Sequence, residues 1–211
     1  MAPKALLSRL PRVLPDPSTA TSQSTGRVVV AVHGTLSDPV VFAPLGEALG
    51  SRGVDMAAVA HGARGSARID ASAAELACAI AALPDEVDRV DIVGHSSGAL
   101  VALRALAVPG VRERVGTLVG LGGAWRGTDH HGFLRPEWLV RLVFGESFVD
   151  LEHVAGEPAL PEGVEVVSIV SDADSVVPEW SSTLGRVVTV SGVPHALLPG
   201  CTDEVLDALG L

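Results

Sequence analysis

The sequence predicts an α/β fold, with a mostly parallel central sheet of about six strands covered by helices on both faces. Two observations predict it. The β-prone stretches, among them "RVVVAVHG" and "RVDIVGH", are largely continuous apolar runs rather than strict alternations, the pattern of strands buried on both faces. Segments of helical length and composition separate them, as crossovers between parallel strands require. With 211 residues, 47% of them hydrophobic, the chain fits one domain. A domain of that size buries roughly 70% of the surface its unfolded form would expose.

Residues 1–26 precede this domain as a poorly ordered arm. Lys4, Arg9, Arg12 and several prolines interrupt its leucines, and Pro15 to Gly26 is rich in Pro, Ser and Thr. No continuous apolar segment of secretory length is present, so the chain as written is expected to be cytoplasmic. A start further upstream would instead make it a secreted protein.

Residues 27–211 supply the elements in order. "RVVVAVHG" is the first strand, and Asp38 with Pro39 opens a helix that Gly50 or Gly53 closes. "VDMAAVA" is a second strand, followed by the glycine-rich loop "HGARGSA". Ser72 and Glu75 have capping-box spacing for a helix through Ile80 and Leu83. "RVDIVGH" is the third strand, and the small, apolar "SGALVALRALA" is a helix packed tightly on the sheet. "VGTLVGLGG", "VEVVSIVS" and "RVVTVSG" complete the strands, and "TDEVLDALG" is the last helix. The segment 125–161 is longer than an ordinary crossover. A helix from Pro136 would place Leu139, Leu142 and Val143 on one face, packed on the sheet or, alternatively, forming a cap, wall or partial lid.

Composition excludes several function classes. A net charge of −10 without a basic block argues against a nucleic-acid partner. No apolar run reaches the roughly 18 residues needed to span a bilayer. Cys78 and Cys201 lie far apart and are read as reduced packing residues. His130 and His131 are read as a solvated pair, so no metal and no cofactor is expected.

In sheets of this class function gathers at the carboxyl ends of the strands. There "GHSSG", Gly94 to Gly98, places Ser96 between an apolar strand and a helix, in a G-x-S-x-G pattern. A sharp strand-to-helix turn exposes such a serine, crowding demands glycine at both ends, and the Ser97 N–H at the helix start faces developing negative charge. A serine needs a base and a group to orient that base. His195 follows the last strand, and Asp172 and Asp174 both follow "VSIV"; spacing does not separate the two aspartates. After the first strand, Gly34 permits close backbone approach and the Thr35 N–H is the second oxyanion donor. His33 braces that loop, and His95 is a packing or hydrogen-bonding neighbour rather than a second base.

From Arg27 to Leu198 the chain resembles the bacterial lipases and esterases of the α/β-hydrolase fold, particularly the small serine lipases. The resemblance rests on "VAVHGTLSDPVVF", "VDIVGHSSGALVAL", "TLVGLGGAWRGT", "SDADSVVPEWSSTL" and "VSGVPHALL". It implies Asp174 rather than Asp172 as the acid, His195 as the base, Ser96 as the nucleophile, and Thr35 with Ser97 as oxyanion donors. It also implies cleavage of small-molecule or lipid carboxylic esters through an acyl-enzyme. An acyltransferase or thioesterase would use the same residues, and a non-catalytic binding protein of the same fold is the remaining alternative. Many members are exported, and this chain departs from them in showing no evident export signal.

Overall fold

Six apolar runs form one sheet in the computed structural model, which describes residues 26–129 and 136–211. The expected arm up to Thr25, the pair His130 and His131, and residues Phe133 and Leu134 lie outside the described residues. The strands are β1 Arg27–Val32, β2 Asp55–Val59, β3 Arg89–His95, β4 Val115–Leu121, β5 Glu165–Ser171 and β6 Arg186–Val190. All pair in parallel, in the order β2-β1-β3-β4-β5-β6.

Alternation along β1 assigns the two faces. Val28, Val30 and Val32 pack with α3 (Ile69–Ala81) and α4 (Ser97–Ala105), whereas Val29 and Ala31 pack with α1 (Ala43–Gly50) and α8 (Thr202–Leu209). Each valine among them, when fully buried, contributes about 1.5–3 kcal/mol of transfer free energy. Register then aligns the strand ends. Val32 lies opposite Gly94, His95 opposite Leu121, and Leu121 opposite Ile169. Segments leaving β1, β3 and β4 therefore emerge side by side.

Three local expectations change. Asp38 does cap, accepting from the Val40 N–H at 3.4 Å, but one 3₁₀ turn, Pro39–Phe42, precedes α1. Ser72 and Glu75 form no capping box. α3 begins four residues earlier because Ile69 is a buried core residue, Ser72 sits inside the helix, and Asp150 Oδ2 accepts from the Ile69 N–H at 2.9 Å. Glu75 Oε2 accepts instead from the Gly62 N–H at 2.8 Å. On α5 (Glu137–Val143) only Val140 is buried, and Trp138, Leu139 and Leu142 are exposed. The helix packs against α6 (Glu146–Glu152) instead of laying that face on the sheet.

α2, Gly62–Gly65, is a single turn with left-handed backbone. Its φ values are 54°, 50°, 64° and 69°, and i→i−4 hydrogen bonds run from Gly65 N to His61 O and from Ser66 N to Gly62 O. Glycine accepts this conformation freely; Ala63 and Arg64 do not, at about 1–2 kcal/mol per residue. Ala63→Gly is therefore expected to raise the unfolding free energy by about 1 kcal/mol, read as a higher urea midpoint at unchanged slope.

Candidate active site

Ser96 sits between the end of β3 and the start of α4 with φ 55° and ψ −127°, a conformation that costs a non-glycine residue about 1–3 kcal/mol. Its backbone is pinned on both sides. The N–H donates to Leu121 O at 3.0 Å, and the carbonyl accepts from Ala99 N and Ala124 N at 3.1 Å each. Close packing accounts for the flanking glycines. A Cβ at Gly94 would lie 2.5 Å from Ala99 Cα, and one at Gly98 would lie 2.2 Å from Val32 O.

His195 begins the 3₁₀ turn His195–Gly200 that follows β6. Its Nδ1–H donates to Asp174 Oδ2 at 2.7 Å, which leaves Nε2 as the basic nitrogen. Asp174 Oδ1 accepts from the Val176 and Val177 N–H groups at 2.8 and 3.0 Å. Burial pushes this carboxyl up, but the hydrogen bonds from His195, Val177 and Val176 outweigh burial and hold it below its ordinary value. Asp174 therefore stabilises the fold above about pH 3.8, and that contribution is lost as the pH falls through its lowered folded value. Asp172 is occupied elsewhere, accepting from Gly192 N at 2.7 Å. Among the described residues none is hydrogen-bonded to Ser96 Oγ, although Ser96 and His195 line one cavity. Nucleophile–base hydrogen bonds are often long before substrate binds.

The segment after β1 runs directly past the serine. A Cβ at Gly34 would lie 2.9 Å from Ser96 Cβ, and Thr35 Oγ1 is 3.0 Å from Ser97 Oγ. Ser97 is the first residue of α4, so its N–H is among the helix donors without an intrahelical acceptor. His33 Nδ1–H donates to Gly34 O at 2.9 Å, in keeping with a brace for this loop. Sequence reading missed His61 and Arg64. The His61 ring stacks on His33 with centroids 4.4 Å apart and donates to His33 O at 3.0 Å, and Arg64 Nη2 donates to Leu36 O at 3.1 Å. Among the described residues, every non-glycine with positive φ (Leu36, Ala63, Arg64 and Ser96) belongs to this loop, the turn against it, or the serine turn.

The same architecture occurs in solved structures. An esterase of Butyrivibrio proteoclasticus with ferulic acid bound superposes with a TM-score of 0.65 at 16% identity, over 88% of this chain and 90% of that one. A methylesterase from Arabidopsis gives 0.63 at 16% identity, over 86% and 96%. The chain has the α/β-hydrolase fold. A metagenomic carboxyl esterase shares 25% identity at a TM-score of 0.56, over 77% of this chain and 54% of its own. No protein-family model and no curated protein matches the sequence.

In this α/β-hydrolase fold the strand ends open into a cavity of about 360 Å³, lined by Ser96, His195, Val41, Phe144, Phe148 and Leu151 among others, and among the described residues its lining includes no Asp, Glu, Lys or Arg. Among the described residues no three His, Cys, Asp or Glu side chains gather as a metal site, and no helix is long and apolar enough to cross a membrane. Gly122, at the end of β4, was not singled out from the sequence, although the "GLGG" run was its signal. A Cβ there would lie 2.8 Å from Asp174 Oδ2 and 3.0 Å from His195 Nδ1, so its missing side chain leaves room for that pair.

His95 lies beside His195, with ring centroids 4.7 Å apart, and its Nε2–H donates to the His195 carbonyl at 3.0 Å. It is thus a hydrogen-bonding neighbour, as expected. Burial, and then the adjacent His195, push its imidazole down to about 4 from 6.5. Between those values the unfolded chain binds the extra proton, so stability falls as the pH falls from about 6.5 to about 4, by about 3 kcal/mol from this group. His61, also lowered by burial, acts in the same direction. His95→Asn is expected to flatten the dependence of the urea midpoint on pH across that window without abolishing it.

Proposed function

We propose that the protein hydrolyses carboxylic esters through an acyl-enzyme formed on Ser96. The observation that carries this reading is the 2.7 Å hydrogen bond between His195 Nδ1 and Asp174 Oδ2, made beside a serine in strained backbone at the wall of an apolar cavity. His195 Nε2 takes the Ser96 hydroxyl proton as Oγ attacks the ester carbonyl, and then gives it to the departing alcohol. A water, deprotonated by the same nitrogen, cleaves the acyl-enzyme. Asp174 fixes the histidine tautomer and stabilises the imidazolium. The Thr35 and Ser97 N–H groups receive the oxyanion, a role in which one donor supplies about 3–4 kcal/mol.

The cavity favours an uncharged, apolar acyl group, because among the described residues its lining offers no Asp, Glu, Lys or Arg side chain to compensate a buried charge. Phe144 and Phe148, with rings 5.1 Å apart, serve as its wall, so the 125–161 segment acts as part of the binding site within a single 27–211 domain. Ester-cleaving proteins among the structural neighbours are consistent with this chemistry.

The test is fluorophosphonate labelling together with hydrolysis of p-nitrophenyl esters from acetate to decanoate. Ser96→Ala is expected to abolish labelling and to lower kcat/KM by about 10³-fold or more, and Asp174→Asn to lower kcat to a similar extent. Labelling that persists in Ser96→Ala would overturn the reading. Addition of an alcohol acceptor separates hydrolysis from acyl transfer, which would divert most of the acyl group from water.

A further inference from the structure

Three hydroxyls from separate parts of the chain meet beside the Ser96 turn. Ser97 Oγ is 3.0 Å from Thr35 Oγ1, which is 3.1 Å from Ser147 Oγ, and Ser97 and Ser147 are both 1% exposed. Ser147 belongs to α6, where the next residue, Phe148, lines the cavity with Phe144. α6 is not loosely placed. The Ser147 N–H donates to Ser66 O at 3.3 Å, and Asp150 both caps α3 through Ile69 N and pairs with Arg68 at 3.1 Å. The hydroxyl contact of Ser147 with Thr35 links α6 to the loop after β1.

We propose that Ser147 is a positioning residue that couples the acyl wall to the oxyanion donors. The inference rests on the ester-cleaving reading of the Ser96 site. Ser97 holds the Thr35 side chain from one side, and Ser147 joins it to α6 from the other. An acyl chain long enough to press on Phe144 and Phe148 loads α6, and the neighbouring Ser147 passes that load to Thr35. A short acyl group leaves the wall untouched. Binding energy from the far end of the chain is then expressed in the transition state, and acyl length is read in kcat rather than in KM alone.

The experiment compares p-nitrophenyl acetate and octanoate. Ser147→Ala is expected to lower kcat for octanoate about tenfold, the scale of one lost hydrogen bond, with KM changed less than about twofold and acetate kcat changed little. Ser147→Cys, which preserves volume, carries the same expectation if the alanine variant does not fold. Thr35→Val removes the other end of the contact, and the double variant is expected to be no slower than Thr35→Val alone. Equal loss for both esters, a change confined to KM, or additive losses in the double variant would overturn the coupling while the parent remains active. Hydrolysis by the parent that does not depend on Ser96 would overturn the ester-cleaving reading and this inference together.

Discussion

The close approach of the α4 N-terminus to the carboxyl end of β1 is the constraint on which the site depends. With the Cβ position of Gly98 only 2.2 Å from Val32 O and 2.6 Å from His33 O, the helix starts directly against the neighbouring strand. The chain has a single residue, Ser96, in which to turn from β3 into that helix, and it does so in a backbone conformation that serine disfavours. Three hydrogen bonds to the Ser96 peptide groups hold the turn. The packing that makes the turn sharp also places the Ser96 side chain next to Gly34 and the Ser97 hydroxyl next to Thr35.

Strain in the described chain is concentrated rather than dispersed. Leu36, Ala63, Arg64 and Ser96 come from three segments, yet His61 and Arg64 hold the loop that carries Leu36, and that loop lies against Ser96. Each unfavourable φ lies next to another segment that needs the resulting shape. The two buried imidazoles with lowered pKa values, His61 and His95, stand on either side of this arrangement as neutral donors to the His33 and His195 carbonyls. Burial outweighs the attraction of Glu75 for the His61 ring and of Asp174 for the His95 ring, and so favours the neutral form.

Much of the fold was legible because the strands carry a largely apolar signal, strongest in the buried inner strands, and all six were visible in it. Ser96 and His195 were legible because each follows such a run, and the strand ends are where side chains converge. What stayed hidden depends on long-range contacts. Asp150 caps α3 from 81 positions away, so the local Ser72–Glu75 spacing was misleading. Asp172 and Asp174 differ only in which one the β6 turn brings to His195. Ser147 and His61 carried no local signal, and the exposed face of α5 departs from its apolar pattern because a short helix docked on α6 has no sheet beneath that face.

The parallel register has a consequence for how the molecule assembles. The segments that form the cavity leave β1, β3, β4, β5 and β6, and the chain from Gly34 to Ala196 must be closed by crossovers before they meet. Sheets built from such distant pairings fold slowly, because chain entropy is lost before the contacts that compensate it are made. The cavity is therefore a property of the completed sheet, and no single strand with its flanking segment contains it.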